Sequence, residues 1–518
     1  MHFKKVQLLL SNNVRHNIFW PTLCIFYLLI IFFIWDKNYF IQFLDEIKSY
    51  ILKTFDVFFT WGAFSCFLMT VLLYISPVRK IKIGGNYATP ILTKYQWFSI
   101  TLCTSTAVGI LFWACSEPLY HLQDPPIKEG AELFFDNTSL QTLTIMNIHW
   151  TIIPYSIYFI PSIMLSLCLR KQDEVLGFGS VLKKFFSKKC PQKMIDLVDF
   201  TCLITLVTGM SVSLSSGIFM LSGAIKNIFS INSSPEVYGI ICFLIVACFI
   251  CSAASGLMKG IRVVSDLNTK VLLLIGIFLF FVGPTKFIVI NGIHSFIHFF
   301  RYFFDFTIFA QEKIDSSWLR NWSIFYWGSW LSWAPMTGLF LSRLAFGYTV
   351  KEMIEVHVFL PSIVTSIWLS IFSGATIFFE KKPNNFLYQT LSEEGPQAVL
   401  FEIFNFLPAS HYTHVALLLI IFVSFVTAAD SNTEAISTMM IKQNKENEKY
   451  NNKNISIIIK LIWGISIGIV SWLMVVYTGV EGMKTISYIG GLPALFLIIF
   501  FIFGLIKFIF LESKKANN

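Results

Sequence analysis

Apolar residues run along this chain in long blocks, with neither the two-residue alternation of a half-buried strand nor the one-sided stripe of a soluble helix. About 20 mainly apolar residues carry a helix across a bilayer. Such windows recur near residues 18–35, 55–76, 97–120, 141–168, 197–223, 237–257, 264–290, 322–343, 355–378, 412–435, 455–477 and 486–509. The pattern predicts an all-α polytopic membrane protein of about twelve transmembrane helices.

The first window begins at Ile18 behind Lys4, Lys5 and Arg15, and only superficially resembles a signal peptide. It has no convincing small-residue cleavage site, and Trp35 is followed by Asp36 and Lys37, so an uncleaved helix is expected. Two segments between windows are too long for tight turns, 291–321 and 379–411. In the first, Ile293, Phe296, Ile297, Phe300, Phe303 and Phe304 recur at helical spacing among His294, His298, Arg301 and Asp305. That predicts an amphipathic helix lying along the outer surface. In the second, the run Val399 to Phe406 after Glu393, Glu394, Gly395 and Pro396 predicts a short external helix. The tail after Phe510 reads as a short cytoplasmic end over 511–518.

Composition strengthens the membrane reading. Of 518 residues, 55% are hydrophobic and 13% charged, which makes the bilayer the solvent. The net charge of +9 comes from Lys and Arg concentrated in alternate connections, above all Arg170, Lys171, Lys183, Lys184, Lys188, Lys189 and Lys193. By the positive-inside rule both termini are cytoplasmic, in a cell inner membrane, and no nucleic-acid partner is needed to explain the charge. The ten cysteines lie almost entirely inside apolar windows and suggest no disulfide framework. Cys248 and Cys251 form a lone C-x-x-C that reads as small apolar filler.

Sites in such a protein interrupt otherwise uniform helices. The third window carries Thr104-Ser105-Thr106-Ala107-Val108-Gly109, small residues that either offer oxygen to a solute or form a close packing face. The fourth carries His149-Trp150 and Pro154-Tyr155, with Tyr158 eight residues after Trp150 and hence on its face. Here an aromatic belt competes with a ligand wall, and His149 reads first as a packed, hydrogen-bonded histidine. In the eighth, Trp322, Tyr326, Trp330 and Trp333 form one aromatic stripe, beside Ser329 and Ser332 and ahead of the helix breaker Pro335. Packing and a ligand cage both fit that stripe. The tenth ends Thr427-Ala428-Ala429-Asp430-Ser431, where Asp430 suits a helix-end or gate partner. Indole faces bind quaternary ammonium by cation–π attraction worth roughly 0.5 to 2 kcal/mol per contact, and need no carboxylate to do so.

These residues closely resemble the betaine/carnitine/choline transporter family. The resemblance is carried by GILFWACSEPLYH from Gly109, HWTIIPYSIY from His149, SAASGLMKGIRVVSDLN from Ser252, the block from Asn321 through Ile354, and FVTAADSNT from Phe425. It covers roughly residues 15–510. It implies a LeuT-like architecture: two N-terminal helices (15–96), a first five-helix repeat (97–290), the external amphipathic helix (291–321), and an inverted second repeat (322–510), commonly assembled as a homotrimer.

Carried over by the resemblance, the substrate box falls on Trp150, Tyr155, Tyr158, Ser329, Trp330 and Trp333. A Trp is usual at the positions of Tyr155 and Ser329. One sodium site would draw on Cys103, Thr106 and Thr427, with Ala428 replacing a hydroxyl. A second would fall on Leu206, Met210, Asn268 and Met336, of which only Asn268 suits a hard cation. The resemblance implies a secondary transporter of glycine betaine, carnitine or choline, with cation-coupled symport expected, Na+ as the coupling ion, and sodium-independent exchange as the alternative. A non-transporting osmosensor would want a longer tail. A lipid-acting membrane enzyme would want clustered His, Asp or Cys, with spacings such as H-x-x-x-H. No such set is read in the chain, so no enzymatic activity is expected.

Overall fold

A computed structural model describes residues 13–106, 109–127, 138–169, 177–186, 189–255, 258–381, 386–442 and 448–517, with side chains at 103–106, 253–255, 258–266, 269, 448–453 and 515–517 outside the description. Among the described residues regular structure is helical. The exceptions are three isolated bridges, pairing Val14 with Ile441, Lys82 with Thr349 and Ile127 with Ile314. Nine of the described helices are long and apolar enough to cross a membrane, or ten with one bent pair taken as a single span. The third and eighth of the expected twelve are not among these. Both are interrupted: the third runs as Lys94–Thr106 and Gly109–Gln123, and the eighth starts as a π-helical turn, Arg320–Ile324, before Phe325–Leu344.

Local chemistry sets several boundaries. The first span, His16–Trp35, stops at Asp36, whose extended backbone also begins the second helix, Lys37–Ile75, with its carboxylate accepting from Tyr39 N. The second span therefore starts well before residue 55. The seventh, Met258–Val282, ends at Gly283-Pro284, where the residue before a proline is pushed out of the helical region. The chain turns by 106° into Thr285–Tyr302. That helix is the expected surface helix, but it starts before residue 291, and short helices Ala310–Lys313 and Ser316–Leu319 follow it.

The face it packs on the protein is a different one from the apolar row Ile293, Ile297 and Phe300. Ile288, Gly292, Ser295, Phe299 and Tyr302 are buried, whereas Ile293, Ile297 and Phe300 are 57%, 57% and 61% exposed. The helix is apolar on two sides, and the sequence does not say which side meets the protein. In the segment 379–411 two helices form instead of one, Phe386–Glu394 and Pro396–Asn405, separated by Gly395 at φ +90°, a conformation that glycine adopts without strain. The last helix, Gly479–Asn517, continues through residues expected to form a tail. Cys248 and Cys251 are exposed on the apolar periphery instead of filling a core.

The fourth span, Thr138–Trp150 and Ile152–Cys168, lies at the centre: 94% of its most apolar window is buried, against 28% for the first span. The eighth span packs along it and, on its other side, along the twelfth. Glycines make the second contact close, since a Cβ on Gly491 would lie 2.5 Å from the Gly328 carbonyl oxygen.

Candidate functional site: an aromatic corner backed by a buried carboxylate

The fourth span breaks at Thr151, which has φ −112° and ψ −115°. Pro154 has no N–H to offer the carbonyl of Trp150, four residues earlier, so the ladder cannot run straight through. The Thr151 hydroxyl turns back onto the Asn147 carbonyl at 2.5 Å. The sequence predicts the bend, and the structure puts it beside Trp150. Pro335, expected to break the eighth span, sits inside the continuous helix Phe325–Leu344.

At this break three rings meet. Trp150 and Trp330 have centroids 5.3 Å apart at 87°, and Tyr158 and Trp330 are 5.2 Å apart at 71°. Rings set nearly perpendicular at this spacing form adjacent walls of a corner. Trp330 is fixed there by its Nε1, which donates to the His149 carbonyl at 3.0 Å. The rest of the eighth-span stripe continues the aromatic path: Tyr326 lies 5.3 Å from Trp150, and Trp322 reaches Tyr326 through Trp113.

Behind the corner stands Glu117, fully buried. Its Oε1 contacts His149 Nδ1 at 2.7 Å and His121 Nε2 at 3.0 Å. Its Oε2 accepts from Trp150 Nε1 at 2.9 Å and from the Tyr326 hydroxyl at 2.5 Å. His149 Nε2 in turn lies 2.9 Å from Ser323 Oγ. Spans three, four and eight are thus joined through one carboxylate.

A family model described as BCCT, betaine/carnitine/choline family transporter, matches residues 17–514. The chain belongs to this family. Its family is one of membrane transporters of small quaternary-ammonium solutes, not of enzymes. Among its relatives, an ectoine/hydroxyectoine transporter of Virgibacillus pantothenticus is 23% identical over 98% of this chain and 99% of its own length. A glycine betaine transporter of Bacillus subtilis is 25% identical, covering 86% and 85%. A high-affinity choline transport protein of Escherichia coli is 23% identical, covering 91% and 68%.

The other site residues expected of this transporter are placed less uniformly. Tyr155 is buried and its hydroxyl pairs with Thr365 Oγ1 of the ninth span at 2.6 Å. Ser329 and Trp333 are half-buried one turn apart, and the Ser329 carbonyl accepts from Ser332 Oγ. Cys103 and Thr106 belong to the helix Lys94–Thr106, but their side chains lie outside the described residues. Asn268 Nδ2 donates to Ser424 Oγ at 2.6 Å, and Thr427 Oγ1 donates to the Ser424 carbonyl. Leu206, Met210 and Met336 are buried and bring no hard oxygen donor. Asp430 is no helix-end residue: the tenth span continues ten residues past it, to Met440, and its Oδ1 pairs with Lys460 Nζ at 2.9 Å. The same ammonium reaches Glu434 at 2.8 Å.

The buried group Glu117, His121 and His149 is a cluster of the kind the sequence reading leaves out, with ligand-type atoms within 4.8 Å of one another. His294 and His298 also stand at the H-x-x-x-H spacing that reading missed. The signal for Glu117 is present in the chain, as an acidic residue inside an apolar span with a histidine four residues on, on the same helix face.

Proposed function

We propose that the protein moves a zwitterionic quaternary-ammonium solute, glycine betaine or carnitine ahead of choline, by alternating access. The ammonium group is held in the corner of Trp150, Trp330 and Tyr158. The single observation that supports this is the perpendicular packing of these three rings at the break of the most buried span. A quaternary ammonium carries no N–H, so π faces suit it better than hydrogen-bond acceptors. Ser329 and Trp333 extend the same helix face towards the rest of the solute.

Cation-coupled symport is the lead reading of the energetics, with Na+ carried as a co-substrate. A second reading, solute exchange without sodium, is favoured by Leu206, Met210 and Met336, which offer nothing that replaces the hydration of a hard cation. The reading extends to a homotrimer with both termini cytoplasmic, in a bacterial inner membrane, built from two five-span repeats.

The test is uptake of labelled glycine betaine, carnitine and choline into proteoliposomes, with and without an inward sodium gradient, for the native chain and for Trp330→Ala. Accumulation by the native chain and its loss in the variant support the corner. Equal uptake by both, after matched reconstitution, overturns it. Sodium-dependent accumulation distinguishes symport from uptake that needs preloaded solute.

A further inference from the structure

We propose that Glu117 is the electrostatic backing of the aromatic corner: a positioning residue whose charge reaches the transported ammonium through the rings of Trp150 and Tyr326. The inference rests on the corner reading above.

The bond pattern fixes Oε2 as an acceptor and is met in full by an ionised Glu117 between two neutral histidines. Trp150 Nε1 can only donate, so Oε2 is an acceptor, and it accepts from the Tyr326 hydroxyl as well. An ionised carboxylate offers about four acceptor positions. The histidine tautomers with the proton on Nδ1 of His149 and on Nε2 of His121 fill the two on Oε1. In this assignment His149 Nε2 accepts from Ser323, and the nitrogen of His121 left without a partner, Nδ1, bears a lone pair and not an N–H. Every bond to Glu117 is then made with both histidines neutral. In this assignment the cluster carries one negative charge, with no Lys or Arg touching it.

A buried charge of this kind is costly in a membrane unless an opposite charge comes close. The Lys484 ammonium acts on Glu117 only at longer range, since it sits over the Trp322 ring at 4.6 Å and pairs with Glu481 at 3.3 Å. The transported ammonium supplies the opposite charge. An indole N–H and a phenol O–H that donate to a carboxylate are polarised by it, which makes their π faces more negative. Trp150 is a wall of the corner, and Tyr326 adjoins it. A box built from uncharged rings alone therefore has an anion behind it. The consequence is selectivity for positive charge, beyond shape.

The experiment compares binding of glycine betaine with binding of 3,3-dimethylbutanoate, in which carbon replaces the nitrogen at nearly the same shape. Competition against labelled glycine betaine, or quenching of tryptophan fluorescence, reads both on the purified full-length protein. The native chain is expected to prefer glycine betaine. Glu117→Gln is expected to lower glycine betaine affinity about tenfold or more and to leave that of the carbon analogue within about twofold, so that the preference collapses. Tyr326→Phe keeps the ring and breaks one link to the carboxylate, and is expected to show a smaller fall in the same ratio. It carries the test if Glu117→Gln does not fold. Equal losses for both ligands would reduce Glu117 to a structural role and overturn the proposal, as would an unchanged ratio in both variants. If the native chain binds both ligands alike, or binds none of glycine betaine, carnitine and choline, the corner reading itself fails and the proposal with it.

Discussion

Trp330 Nε1 donates to the carbonyl of His149 at 3.0 Å, so the ring expected to hold the solute is tied to the neighbour of another ring of the same corner. The bond crosses from the eighth span to the fourth at its break.

Trp330→Phe keeps an aromatic wall but removes that donor, leaving a buried carbonyl unpaired. A loss of about 1 kcal/mol in solute binding is expected, roughly a fivefold rise in the half-saturating concentration for uptake. Trp330→Ala removes the wall as well and is expected to abolish accumulation. Concentration-dependent uptake in proteoliposomes separates the two, and equal behaviour of both variants would argue that the hydrogen bond has no role.

Lys460 pairs with the buried Asp430 and also with Glu434, whose side chain is exposed. Lys460→Met leaves the Asp430 carboxylate without its cation, at an expected cost of about 3 to 5 kcal/mol. Adding Asp430→Asn removes the stranded charge and is expected to recover much of the loss. Thermal unfolding in detergent, followed by size-exclusion chromatography, measures both. A double variant no more stable than the single one would show that the pair is not the source of the effect.

Gly491 faces the Gly328 carbonyl so closely that a Cβ would stand 2.5 Å away, with backbone on both sides. Gly491→Ala forces the eighth and twelfth spans apart, at an expected cost of about 1 to 3 kcal/mol. It also shifts the helix that carries Trp330. Lower thermal stability together with reduced uptake is the expected result, and native values for both would show that the contact relaxes freely.

The helix Thr285–Tyr302 leaves Ile293, Ile297 and Phe300 exposed on an apolar face. If that face joins protomers, Ile297→Arg with Phe300→Arg is expected to shift the protein from trimer to monomer in mild detergent, read by light scattering. A native protein already monomeric at all detergent concentrations would remove the basis for the trimer.

Much of this molecule is legible in its sequence because apolar content is a local property. A bilayer demands a minimum run of apolar residues, and that demand is met or missed window by window, so most of the expected windows coincide with a long apolar helix. Pro154 likewise announces a bend without reference to any other helix. The aromatic stripe of the eighth span follows from helical spacing alone.

Other features depend on which side chains meet, and one chain's pattern does not contain that information. The surface helix has two apolar faces, and packing against the fourth span and against the ninth, where Ser370 lies close to Gly292, selects the buried one. Tyr155 stands in the expected box by its position in the chain, but the partner of its hydroxyl, Thr365, lies 210 residues away and is not legible there. Asp430 looks like a helix end until the tenth span continues past it and Lys460 arrives from the eleventh. Glu117 is the clearest case. Its acidity inside an apolar span is written in the sequence, but these partners come from two other spans, up to 209 residues away. A hydrogen bond demands contact at about 3 Å, and only the tertiary structure brings His149, Trp150 and Tyr326 to one carboxylate.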